Sequence, residues 1–135
     1  MFCSFNDFFQ GNNFASIKEG AFRACSKLQE IVFSKQTVKN IESEAFFDLP
    51  SLQKLDLSNQ QLTELPSKLV QNLPNLTHVD LSSNDIATVA ENVFYDVPNL
   101  VNLDLSHNNI CHIGNMFESL RNPDLVVNLR NAFKI

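Results

Sequence analysis

The chain has 135 residues, is 44% hydrophobic and carries a formal net charge of −5, with its ten Lys and Arg scattered along the length. Without a basic stripe it lacks the footprint of a nucleic-acid binder, and no apolar run reaches the ~18 residues a membrane-crossing helix needs. With only three glycines, no phosphate cradle, nucleophile–base pair or paired carboxylates stand out, so no enzyme and no cofactor are expected.

The first ten residues, Met1-Phe-Cys-Ser-Phe-Asn-Asp-Phe-Phe-Gln10, are rich in Phe. They have no basic start, continuous apolar core or small-residue cleavage site, and so do not read as a secretory signal. The stretch implies either a cytosolic protein or a mature or excised piece of a longer one. Residues 1–27 fit a worn first repeat or improvised N-terminal cap, with Asn12, Phe14, Ile17 and Phe22 in phase with the downstream repeats.

From Leu28 onward one phrase recurs every 24 residues. A degenerate copy, Leu28-Gln-Glu-Ile-Val-Phe-Ser34, precedes Leu52-Gln-Lys-Leu-Asp-Leu-Ser58, Leu76-Thr-His-Val-Asp-Leu-Ser82 and Leu100-Val-Asn-Leu-Asp-Leu-Ser106. Apolar residues also recur at repeat position 11 (Val38, Leu62, Ile86, Ile110) and position 14 (Ile41, Leu65, Val89, Ile113). A fixed period of this length marks a stacked solenoid, whose units bury their apolar faces only against one another. The repeats divide as 28–51, 52–75, 76–99 and 100–122, followed by a partial terminal repeat over 123–135.

Within each repeat a short parallel strand sends positions 4 and 6 inward: Ile31/Phe33, Leu55/Leu57, Val79/Leu81 and Leu103/Leu105. The return carries a large apolar residue, Phe46 or Phe94, and ends at Leu49-Pro50, Leu73-Pro74 or Val97-Pro98, where Pro suits a turn ahead of the next strand. The last full repeat shortens its return, placing Phe117 and Leu120 one position early. Asp124-Leu-Val-Val-Asn-Leu-Arg130 reads as a further strand with Val127 and Leu129 inward. No polar cap follows it, which favours a piece of a longer array over an end protected by self-association.

Position 9 holds a structural ladder of side-chain amides: Asn12, Gln36, Gln60, Asn84 and Asn108. Gln carries its amide one methylene further out, so loosening is expected at Gln36 and Gln60. Three cysteines form no framework. Cys25 sits at a buried position and reads as a small hydrophobe, and a bond to Cys3 requires the N-terminal segment to fold back. Cys111 reads as a free thiol. His107, Cys111 and His112 are separated by the repeat geometry, so no metal site is expected.

These residues resemble the 24-residue "typical" class of leucine-rich repeats, with L-x-x-L-x-L-x-x-N-x-L-x-x-L, a Phe in the return and Leu-Pro-x-Leu at the junction. The class occurs in Toll-type receptors, Slit-like guidance proteins, chaoptin- and connectin-like adhesion proteins and insect immune ectodomains. The resemblance implies an α/β solenoid: a right-handed coil with a parallel β-sheet on the concave face and an irregular, short 3-10 or helical convex side. It also implies a non-enzymatic module that binds a protein ligand through the concave strands, as part of an extracellular or cell-surface protein. Cysteine-clustered caps, usual in such ectodomains, are not recognisable. Interior spacer coils with no ligand of their own, or a cytosolic scaffold, are the alternatives.

The outward strand positions are the expected binding surface: Lys54, Asp56, Ser58, His78, Asp80, Ser82, Asn102, Asp104, Ser106 and Asn128. Asp56, Asp80 and Asp104 stack as an acidic ladder, open to a basic partner or explained by the family's preference for Asp-Leu-Ser. Asn75-Leu-Thr77 is the one N-x-S/T acceptor, a glycosylation site if the chain is secreted.

Overall fold

The computed structural model describes residues 14–33 and 37–135. The chain winds as a solenoid of parallel strands in which the 24-residue period becomes one coil. Among the described residues, twelve short strands run in order: β1 (Phe14–Ile17), β2 (Glu30–Val32), β3 (Thr37–Ile41), β4 (Phe46–Phe47), β5 (Lys54–Asp56), β6 (Glu64–Leu65), β7 (Val70–Gln71), β8 (His78–Asp80), β9 (Thr88–Val89), β10 (Phe94–Tyr95), β11 (Asn102–Asp104) and β12 (Val126–Asn128).

The concave face is a five-stranded parallel sheet in the order β12-β11-β8-β5-β2. Its register is the sequence period: Ile31 lies beside Leu55, Leu55 beside Val79, Val79 beside Leu103 and Leu103 beside Val127. Smaller sets run alongside, β10-β7-β4 on the convex side and the pairs β1-β3 and β6-β9 on the flank.

Left-handed corners close the coils at three recurring places. They fall at Asn59, Ser83, His107 and Asn131, at Gly20, Glu44, Lys68 and Asn92, and at Ala24, Asp48, Asn72 and Asp96, all with positive φ. A left-handed residue costs roughly 1–2 kcal/mol when it carries a Cβ, least for Asn and Asp. Asn and Asp fill six of these twelve corners, which explains why a chain so poor in glycine can turn this often.

The interior is a column of apolar side chains, including Leu52, Leu55, Leu57, Leu62, Leu65, Leu69, Val70 and Leu73, all fully buried. Each buried Leu contributes roughly 1.5–3 kcal/mol. At the N-terminal end, the Phe22 ring stacks on Phe46 at 5.4 Å and meets Phe33 edge-on at 6.4 Å.

The structure departs from the sequence reading in four places. The convex side is built of two-residue strands and turns, and among the described residues it contains no helix or 3-10 turn. Cys25 is buried, as expected, yet it is disulfide-bonded rather than a plain hydrophobe; its partner lies outside the described residues. Gln60 shows no loosening in its bonding: its Oε1 accepts from Val38 N at 2.7 Å and its Nε2 donates to Phe33 O at 2.6 Å. Finally, the return of the coil from Leu100 is not shortened, since Asn102 pairs with Val126 a full 24 residues on, and its fully buried residue is Met116, while Phe117 and Leu120 are only half-buried. The cause is Gly114, the left-handed corner of that coil, which falls two residues before the position its counterparts occupy. Met116 is thereby second after the corner, as Phe46, Val70 and Phe94 are in their coils.

Candidate functional site

Two rows of side chains cross the concave sheet. Position 3 gives Glu30, Lys54, His78, Asn102 and Val126; position 5 gives Val32, Asp56, Asp80, Asp104 and Asn128. In-register parallel pairing spaces equivalent side chains about 4.8 Å apart. Lys54, His78, Asn102 and Asn128 are exposed, while the three aspartates are half-buried.

The aspartates have a local task. Asp56 Oδ1 accepts from the Ser58 amide at 2.9 Å and the Ser58 hydroxyl at 2.6 Å. Asp80 with Ser82 and Asp104 with Ser106 repeat both bonds at the same distances. In the terminal coil Asn128 Oδ1 takes the same role toward the Arg130 amide at 3.1 Å. Each Asp-Leu-Ser is an Asx turn that swings the chain out of its strand. This explains the motif's recurrence. It also accounts for Ser58 and Ser82 being half-buried and Ser106 buried.

Each carboxylate keeps its second oxygen for other partners. Asp104 Oδ2 accepts from Asn128 Nδ2 at 3.2 Å. Burial pushes the Asp104 pKa up, but the Ser106 hydroxyl and amide, the Asn128 amide and the His107 charge outweigh it, so the net shift is downward.

Lys54, His78, Val79, Asp80, Asn102 and Asp104 line a shallow depression of about 280 Å³ on this face. The Thr77 hydroxyl donates to Gln53 O at 3.1 Å, and His78 Nδ1 lies 2.9 Å from the same hydroxyl oxygen. With the Thr77 proton directed to Gln53 O, the hydroxyl oxygen is placed to accept from His78 Nδ1, which holds the ring in place and leaves Nε2 facing away from Thr77. The depression thus presents an ammonium, an imidazole, an amide and carboxylate oxygens. That set suits hydrogen-bonding recognition of a polar surface.

The amide ladder lies at the far end of the strands. Asn84 accepts from Leu62 N at 3.2 Å and donates to Leu57 O at 2.9 Å in the preceding coil, and to Leu81 O and Ser82 O in its own. Asn108 repeats the pattern with Ile86 N, Leu81 O, Leu105 O and Ser106 O. Gln60 makes the same inter-coil bonds to Val38 and Phe33. Asn12 and Gln36 lie outside the described residues. Ala132 occupies the ladder position of the last coil, and there the backbone itself closes the gap, with Ile110 N donating to Ala132 O at 2.9 Å.

Asn75 is exposed, and its Nδ2 donates to Pro50 O at 2.5 Å. Asn99 makes the same bridge to Pro74 O at 2.6 Å without being followed by a Ser or Thr acceptor sequence. The residue therefore has a structural use at both junctions where it occurs. Cys111 is exposed and free. Among the described residues, no three His, Cys, Asp or Glu gather closely enough to hold a metal ion, and no helix is long and apolar enough to cross a membrane.

A search of curated proteins finds no match. The family description "BspA type leucine-rich repeat region" matches residues 1–122 in six copies. That match, over nearly the whole length and with the coil geometry described above, establishes the repeat class: the chain belongs to the BspA type leucine-rich repeat family.

Proposed function

We propose that the chain is a non-enzymatic recognition module that binds a protein ligand through its concave face. The observation that carries this reading is the position 3 row. Lys54, His78 and Asn102 stand exposed on a rigid sheet, differ in chemistry from coil to coil, and are free of the inter-coil bonding that occupies the ladder amides. Residues kept for coil geometry repeat, as the Asp-Leu-Ser turns do; residues kept for a ligand vary along the stack. The aspartates contribute their outer oxygens to the same surface.

The reading extends to an extracellular or cell-surface protein of the receptor or adhesion kind. The disulfide at Cys25 supports an oxidising compartment, and the exposed Asn75 is available to a glycosylating enzyme once it gives up its Pro50 bridge. The interior-spacer reading is favoured by one observation, the complete structural explanation of the Asp-Leu-Ser motif.

The test begins with ligand selection on the intact chain from a displayed protein library. The selected binder is then titrated against the triple variant Lys54→Glu, His78→Ala, Asn102→Ala. All three side chains are exposed, so folding is expected to survive, as circular dichroism will report. A loss of affinity of at least about tenfold, which is 1.4 kcal/mol, is expected. Equal affinity for both chains would place the site elsewhere and leave the spacer reading standing.

A further inference from the structure

Opposite charges share the depression on the concave face without pairing with each other. Lys54 lines it from the position 3 row of β5, and Asp80 and Asp104 line it from the position 5 row of β8 and β11. Among the described residues the ion pairs are Lys18–Glu42 and Lys68–Glu44, and the Lys54 ammonium has no partner. Asp80 spends Oδ1 on Ser82 and keeps Oδ2 unshared. Asp104 Oδ2 takes one bond, from Asn128, and has a second lone pair for another donor.

These charges screen partners by sign. A purely cationic ligand is set against Lys54, and a purely anionic one against two carboxylates, and like charges brought together cost affinity. The ligand that satisfies all three carries both signs. At about 280 Å³ the depression is smaller than the roughly 300–1,000 Å³ of sites for drug-sized ligands. It has room for one residue of a partner.

Distance then selects the residue. Lys54 and Asp80 stand two residues apart along the strand direction and one strand apart across it, which separates them by about 8 Å. A chain end can carry both signs in two ways. An N-terminal Asp or Glu holds its ammonium and side-chain carboxylate three or four bonds apart, roughly 3.5–5 Å, since three bonds of extended chain span about 3.5 Å. A C-terminal Arg or Lys holds its carboxylate and side-chain cation six bonds apart, roughly 7 Å. Only the second reaches. Between Arg and Lys the paired carboxylates decide. Lying in register about 4.8 Å apart, Asp80 and Asp104 offer acceptors to the fixed N–H fork of a guanidinium, whereas an ammonium is a point charge without such edges.

We infer that the depression receives the C-terminal arginine of a protein or peptide partner, with its carboxylate on Lys54 and its guanidinium across Asp80 and Asp104. This rests on the concave face being the recognition surface and adds the chemistry that the surface selects. Free arginine fits less well, because its α-ammonium arrives beside Lys54 where a peptide has a neutral amide.

The experiment titrates the peptide acetyl-Gly-Ala-Arg, with a free carboxylate, into the intact chain and follows the amide NMR signals of Lys54, His78, Asp80 and Asn102. The same peptide amidated at its C-terminus, its counterpart ending in Lys, and free arginine are each expected to bind at least about tenfold more weakly. Asp80→Asn combined with Asp104→Asn removes both carboxylates and keeps the Asx turns, as Asn128 Oδ1 makes that turn in its own coil. This variant is expected to weaken the peptide at least about tenfold with circular dichroism unchanged. Lys54→Met, at an exposed site, is expected to erase the preference for free carboxylate over amide. Equal affinity of the parent chain for acid and amide overturns the inference, as does an affinity that neither variant moves. Should the peptide not bind while the library-selected ligand still depends on Lys54, His78 and Asn102, the inference falls and recognition by the concave face stands. Should neither ligand depend on this face, both fall.

Discussion

The asparagine at repeat position 9 is the smallest unit that ties two coils together. Asn84 satisfies Leu62 N–H and Leu57 C=O in the neighbouring coil, and Asn84 itself is only 6% exposed. Truncating it leaves a buried donor and a buried acceptor without water or protein to replace the amide. Each such orphan costs about 1–3 kcal/mol. Asn84→Ala is therefore expected to lower the unfolding free energy by about 2–4 kcal/mol, measured by urea denaturation. Asn84→Gln should recover most of that loss, because Gln60 already makes the equivalent inter-coil bonds to Val38 and Phe33. A loss equal to that of the alanine variant would show that the Gln geometry is peculiar to its own coil.

Elements in this molecule are set by corners more than by strands, and the return of the coil from Leu100 shows it. The residue that fills the convex core is the second after the left-handed corner: Phe46 after Glu44, Val70 after Lys68, Phe94 after Asn92 and Met116 after Gly114. Met116→Ala is accordingly expected to cost about 2–5 kcal/mol, the range for emptying a buried large side chain. Phe117→Ala, at a half-buried site, should cost clearly less, and the reverse order in urea melts would refute the corner rule. The inward Leu positions, the ladder amides Gln60, Asn84 and Asn108, and the coil period were legible because each is stated several times in phase. Met116 was not, because the coil loses two residues before its corner and regains them after it, a shift that counting from the strand ignores; Gly114 was the signal that marks it. The tasks of Asp56, Asp80 and Asp104 were also out of reach, since an Asx turn and a ligand-binding carboxylate are written with the same letters. Only the Oδ1 contacts to Ser58, Ser82 and Ser106 separate the two.

At the scale of the whole molecule, each coil touches only its neighbours, so stability is a sum of coil and stacking contributions and is lowest where a stacking partner is missing. Interior amides such as Leu81 N, which donates to Asp104 O at 2.8 Å across a fully buried layer, exchange only when the stack opens broadly. Terminal amides such as Lys134 N, bonded to Ile110 O at 3.0 Å, are held by the last coil alone. Native-state hydrogen exchange should therefore rise in steps from the centre toward the C-terminal coil. Equal exchange in every coil would instead show that the stack opens as a single cooperative unit.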